Sequence, residues 1–230
     1  LREILGDNPA DLKSLQTTIP LIPPSPADIG AWTETAENNN FSIVAQFNQA
    51  EYMRKAVDFQ QSKHLPTLDI IGQYGDQDSG NRYALKGNNE SIGLQLNLPL
   101  YEGGGTSSRV RQAQHDFDAA KQELIKVKRS VTRTVKDAFR GVLASISRVK
   151  ALQATVESAD KSVEASSAGL EVGTRTMVDV LTEQRNLYKA KSDYARSRYD
   201  YLINAIRLKE ADGSLSEADL AQINQYLQKN

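Results

Sequence analysis

No cysteine occurs in the 230 residues, so disulfides, thiolate metal sites and a cysteine nucleophile are all excluded. That absence fits an oxidising compartment. No apolar run approaches the ~20 residues that a membrane helix needs, and mean hydropathy is −0.52. A helical membrane protein is thereby excluded. A membrane β-barrel is not, because its strands alternate and average out to polar. No basic tract is present, net charge is −1 and the pI is about 6.2, so nothing favours a nucleic-acid partner. The chain opens at Leu1 with neither an initiator Met nor a signal-peptide pattern, and is expected to be a mature or excised piece of a longer protein. Proline is missing from Leu100 to Asn230, which predicts long helices, since an interior proline costs a helix about 3 kcal/mol.

Five of the seven prolines lie between Pro9 and Pro26, and residues 1–27 read as an extended linker. Residues 28–64 read as helices. Pro26-Ala27-Asp28 starts a short one with Ile29, Trp32 and Ala36 on one face. Trp32, the only tryptophan, reads as packing. Asn40 caps a second helix, predicted from Phe41 to about His64, with Val44, Phe47, Met53, Ala56 and Phe59 as an irregular apolar side. Pro66 ends it.

The period then changes to two. Leu68, Ile70, Gly72 and Tyr74 share one face of a first strand, with Thr67, Asp69, Ile71 and Gln73 on the other. A polar loop over 75–90 separates it from a second strand, predicted over Ile92–Tyr101, whose leucines alternate with Gly93, Gln95, Asn97 and Pro99. Each segment has about the 9–11 residues with which a tilted strand crosses a bilayer, and Tyr74 and Tyr101 stand where an interfacial aromatic belt would place them. Alternation alone does not separate this from the hairpin of a soluble β-sandwich. Glu102-Gly103-Gly104-Gly105-Thr106 has neither the Lys-Ser/Thr pair of a P-loop nor a dinucleotide glycine spacing, so it reads as a plain turn, and no cofactor is implied.

From Thr106 to Glu171, Val110, Ala113, Phe117, Ala120, Leu124, Val127, Val131 and Ala138 recur at alternate spacings of three and four, with Thr134 a poor member. That is a coiled-coil seam. It shifts by one residue near Gly141 and resumes through Val149, Leu152, Val156, Ala159 and Val163. Gly169 to Gly173 mark a tight reversal, and the return helix runs from about Thr176 to Ala211. On it Leu181, Tyr188, Ala195 and Leu202 form one heptad column, and Leu187, Tyr194 and Tyr201 the adjacent one. The long hairpin thus occupies 103–211 with its tip near 172–176. Residues 212–230 hold a short last helix, with Leu220, Ile223 and Leu227 inward.

His64-Leu65-Pro66-Thr67-Leu68-Asp69, Leu98-Pro99-Leu100-Tyr101-Glu102-Gly103-Gly104, Val172-Gly173-Thr174-Arg175-Thr176 with Val178-Asp179-Val180-Leu181, and Tyr201-Leu202-Ile203-Asn204 together resemble the TolC family of outer-membrane efflux and secretion ducts. The resemblance covers nearly the whole chain, and the chain resembles the second of two structural repeats. It implies a mainly α fold with a membrane β-hairpin over 65–102. Two strands would join a shared trimeric outer-membrane β-barrel, and the very long helical hairpin a periplasmic α-barrel. It implies a homotrimer with the missing N-terminal repeat, contact with outer-membrane lipid, and two further partners: a periplasmic adaptor protein and an inner-membrane pump. The place implied is the outer membrane of a Gram-negative bacterium, and the task a passive exit duct for multidrug efflux or type I secretion.

The resemblance also assigns residues. Asp179 matches an aspartate that lines the periplasmic constriction, and Thr182 stands where the family has a second one. By itself, Asp179 reads as a solvated charge near the positive end of a helix. Arg175 matches an arginine that ties neighbouring hairpins in the closed duct, and Leu170 stands where a tyrosine shares that task. Val172, Gly173, Thr174, Arg175 and Thr176 match the tip on which the adaptor docks.

A periplasmic adaptor or bridging coiled coil without a pore shares the long hairpin, but should carry a lipoyl-like β-domain in place of two lone strands. An enzyme is not expected: His64 and His115 have no nucleophile or carboxylate constellation around them and read as surface positions.

Overall fold

A computed structural model describes residues 13–77 and 87–227, together with Gly6. In chain order the elements are α1 (Ile29–Asn39), α2 (Phe41–Ser62), β1 (Thr67–Gln77), β2 (Gly87–Asn97), α3 (Gly105–Glu171), α4 (Met177–Asp212) and α5 (Glu217–Asn224). The fold is mainly α with one antiparallel hairpin among the described residues. Two compact units form, one of Leu1–Val44 with Lys126–Asn230, the other of Ala45–Ile125.

Local chemistry sets the boundaries. The Asp28 carboxylate accepts from the Gly30 amide at 2.9 Å and caps α1. The Asn40 side chain accepts from the Ser42 amide at 2.9 Å and opens α2, while its own amide group donates to the Ala211 carbonyl at 2.9 Å. Free of proline, α3 continues for 67 residues, a rise of about 100 Å.

The first unit is built around Trp32 and Ala36 of α1, Val135, Phe139, Val142 and Val149 of α3, and Tyr201, Leu202, Leu208 and Ala211 of α4, with Leu15 from the segment before α1. That segment is more than a linker. Leu15 bridges to Leu227, and Gln16 donates to the carbonyls of Tyr226, Gln225 and Leu227. Residues 1–5 and 7–12 of the expected linker lie outside the described residues.

The predicted seam is corrected at three places. On α3 the change of phase comes before Gly141: Val135 and Phe139 are buried, whereas Thr134 is exposed and Ala138 only half-buried. On α4 the column Leu187, Tyr201 and Leu208 is buried with Tyr194 half-buried, and the other column is exposed at Leu181 and Tyr188 but half-buried at Ala195 and buried at Leu202. On α2, Ile43, Ala50 and Val57 are buried, and Val44, Phe47 and Phe59 face out. On α3 and α4 spacings of seven define these columns, and adjacent columns differ in sequence by a single step. Hydrophobicity alone did not separate them, because both carry apolar residues. In α5, Leu220 is likewise exposed.

In the second unit the hairpin register is Leu68↔Leu96, Ile70↔Leu94 and Gly72↔Ile92 on one face, and Thr67↔Asn97, Asp69↔Gln95 and Gln73↔Ser91 on the other. The second strand therefore runs earlier than its hydrophobic pattern suggests, from Gly87 and not to Tyr101. Pro99 lacks an amide donor and restricts Leu98, which ends the ladder, and the polar start of the strand was invisible to apolar alternation. The two strands take both ends of the loop expected over 75–90; residues 78–86 of it lie outside the described residues. His64 and His115 are both exposed. At the start of α3, Thr106 is buried and its hydroxyl donates to Glu102, which also pairs with Arg109 at 3.5 Å.

Candidate functional site at the helical tip

The reversal between α3 and α4 is made by backbone. Gly173 takes the left-handed conformation at φ 76°, as helix-ending glycines do. Its amide donates to the Leu170 carbonyl at 3.0 Å. The Gly169 carbonyl collects three donors: the amides of Thr174 and Arg175 at 2.8 and 3.1 Å, and the Thr174 hydroxyl at 3.0 Å. A Cβ on Gly169 would stand 2.6 Å from Cγ of Arg175, so only glycine lets that arginine stem lie across the end of α3.

Thr176 and Asp179 then form a reciprocal cap on α4. The Asp179 amide donates to the Thr176 hydroxyl oxygen at 3.2 Å, and Oδ2 of Asp179 accepts from the Thr176 amide and hydroxyl, both at 2.8 Å. The Thr176 amide and hydroxyl, helped by the nearby Arg175 charge, hold the Asp179 carboxyl below the usual aspartate range. Oδ1 of Asp179 has no hydrogen bond among the described residues. One carboxylate oxygen is thus structural while the other is unengaged.

The remaining residues singled out in the sequence fall as follows. Val172, Gly173, Thr174, Arg175 and Thr176 are brought together in one exposed turn. Leu170 is half-buried on the last turn of α3. The Arg175 guanidinium makes no hydrogen bond or ion pair with any described residue. The Thr182 hydroxyl donates back to the Val178 carbonyl at 2.8 Å, one turn beyond Asp179. Val172, Met177, Val178 and Leu181 are exposed around them, and Val180 alone of these early α4 residues is buried. Among the described residues no group of His, Asp or Glu could hold a metal ion, and no helix is long and apolar enough to cross a membrane.

Sequence reasoning missed Arg198. It is buried on α4, donates from one nitrogen to the carbonyls of Gln16 and Thr17 at 2.5 and 2.6 Å, and stacks 4.9 Å from the centre of the Tyr194 ring. Tyr201 extends the fastening: its hydroxyl accepts from the Ile22 amide at 2.9 Å and donates to the Ile22 carbonyl at 3.1 Å. Tyr199 accepts from the Leu15 amide at 3.1 Å. The one trace of it in the sequence is that 194, 198 and 201 share one helical stripe, where a charge needs partners that the stripe itself does not name.

The chain thus combines a hairpin of two 11-residue strands with helices of 67 and 36 residues. The family model described as outer membrane efflux protein matches residues 32–214, and the chain belongs to that family. It is 37% identical over its whole length to Outer membrane protein TolC of Escherichia coli, of which it covers 49%. It is 30% identical to Alkaline protease secretion protein AprF of Pseudomonas aeruginosa, over 92% of this chain and 44% of that one. The fold matches the solved Campylobacter jejuni CmeC outer membrane channel with a TM-score of 0.67 at 18% identity, over 87% of this chain and 43% of that one. The chain spans about half the length of the curated relatives it matches.

Proposed function

We propose that this chain is one repeat of a passive outer-membrane exit duct in a Gram-negative envelope, assembled as a trimer and serving drug efflux, type I protein secretion or both. A periplasmic adaptor and an inner-membrane pump open it at the helical tip. No covalent chemistry is required of it. The observation that carries this reading is the two-faced hairpin. Leu68, Ile70, Ile92, Leu94 and Leu96 are all more than 60% exposed on one side, and the other side is polar except at Ile71 and Gly93 and is also exposed. An isolated two-stranded sheet with both faces and both edges open is marginal in water. A closed barrel in lipid gives each face its own solvent and leaves no edge.

Within this reading, Asp179 has two tasks. Oδ2 caps α4, and Oδ1 presents the charge to the axis, where three copies make a carboxylate ring that selects cations. Thr182 contributes no charge one turn on, so the ring is single. Arg175 is available for a tie to a neighbouring hairpin, and Leu170 adds no polar group to that tie. The turn from Val172 to Thr176, flanked by exposed Met177 and Val178, receives the adaptor.

The test is single-channel conductance in planar bilayers on the full-length protein that contains this chain, with and without Asp179→Asn, adding a trivalent cation from the periplasmic side. The asparagine can still accept from Thr176, so the cap survives while the charge is lost. Block of the wild type that disappears in the variant supports the duct and the ring. Equal block in both would move selectivity elsewhere. Well-folded trimers without any conductance would favour a bridging protein without a pore.

A further inference from the structure

The hairpin strands contain no lysine or arginine. On the polar face, the register groups Asp69 with Thr67, Gln73, Ser91, Gln95 and Asn97, and only Asp69 is charged. It is exposed, and its carboxylate joins no hydrogen bond or ion pair among the described residues. Two cations of the same unit are engaged elsewhere: Lys63 stands 4.9 Å over the Phe59 ring and Arg109 pairs with Glu102 at 3.5 Å. Among the described residues Asp69 is therefore an uncompensated negative charge, fixed by a backbone ladder near the start of β1. Lipid would disfavour a carboxylate strongly; Glu90, on the leucine side, stands towards the loop end beyond Ile92, so the stretch from Leu68↔Leu96 to Gly72↔Ile92 turns that side to hydrocarbon and Asp69 to water.

We propose that Asp69 makes the β-lined section of the duct cation-selective, independently of Asp179. The proposal rests on the duct reading above. Three copies place three carboxylates around the bore, on strands whose hydrogen-bonded ladder does not depend on the conformation of the tip. Such a wall charge acts over about one Debye length, roughly 30 Å at 0.01 M salt, 10 Å at 0.1 M and 3 Å at 1 M. Its effect is confined to low salt, unlike block at a narrow ring.

Reversal potentials in planar bilayers, under a KCl gradient near 0.01 M and again near 1 M, test this on the full-length protein and on Asp69→Asn, Asp179→Asn and the double variant. Asp69→Asn is expected to move the low-salt reversal potential towards zero in both backgrounds, to leave the 1 M value unchanged, and to leave trivalent-cation block intact. Gln95→Lys, which sets a cation directly across the ladder from Asp69, is expected to cancel the same preference and serves if Asp69→Asn does not assemble. Conducting channels with the same low-salt reversal potential in wild type and variants would overturn the proposal while keeping the duct. Absence of conductance in folded wild-type trimers would overturn the duct reading and this proposal with it.

Discussion

At the scale of single residues, Arg198 fastens the segment before α1 to α4. It buries a permanent charge with no ion pair among the described residues; one guanidinium nitrogen meets two carbonyls and the group stacks on an aromatic face, while Nε has no hydrogen-bond partner. Arg198→Met keeps the stem volume but leaves the Gln16 and Thr17 carbonyls without their donor. A fully buried carbonyl left unpaired costs about 1–3 kcal/mol, and these two, on half-buried Gln16 and exposed Thr17, cost less because water reaches them. The variant is therefore expected to unfold the first unit at lower denaturant, read by the fluorescence of Trp32, the chain's only tryptophan, which sits in the same core. An unchanged midpoint would mean that water or a shifted segment takes over the bonds. Arg198 was overlooked for a physical reason: a basic residue at helical spacing is usually solvated, and nothing local announces the carbonyls that reach it from 182 residues away. Asp179 was half legible. Its place at a helix start was plain, but the reciprocal bonds with Thr176 needed the backbone of the turn.

At the scale of elements, caps and breaks were legible because they are local. Asp28, Asn40, Thr176 and Ser216 all sit where their side chains or carbonyls satisfy the first amides of a helix. Phase along α3 was not legible between Val131 and Gly141, since two adjacent heptad columns were both apolar and only packing chose between them, whereas on α4 both named columns reach the core, at Tyr201 and Leu202. α5 offers a pH test. The Asp219 carboxyl is drawn from its ordinary 3.8 down to about 2 by Lys209, and by the amide and hydroxyl of Ser216. A carboxyl lowered in the folded state contributes stability that is complete above its unfolded value and is lost as pH falls through its folded one. Amide exchange in α5, corrected for its intrinsic pH dependence, is thus expected to gain on the rest of the first unit between pH 3.8 and about 2. Asp219→Asn should show the looser α5 already at neutral pH and no further change over that window.

At the scale of the whole molecule, the hairpin distinguishes lipid from water by alternate residues, and substitutions can read that alternation directly. Leu94→Lys puts a charge on the apolar face and is expected to cost about 2–4 kcal/mol on folding into a bilayer if it lies near the midplane. Gln95→Lys, one residue on and on the opposite face, should cost far less. Folding into lipid vesicles across a denaturant series measures both, and equal costs would remove the two-solvent reading of the strands. The class of fold was visible in the sequence because periods of two and of three to four are strong signals over long segments. The closure of the core by the first and last segments was not, because it depends on backbone groups that carry no sequence pattern.

That closure also dictates an order of assembly. The side chain of Gln16 reaches the carbonyl of Leu227 across 211 residues. Joining the ends of a flexible loop of that length costs on the order of 5 kcal/mol in chain entropy, so the clasp is poorly placed to form first. Once α3 and α4 lie side by side, with the Asn204 amide donating to the Ser145 hydroxyl at 2.7 Å, most of that search is already done. During synthesis Leu15 and Gln16 must therefore wait for α3, α4 and Leu227 to follow them before they can be fastened.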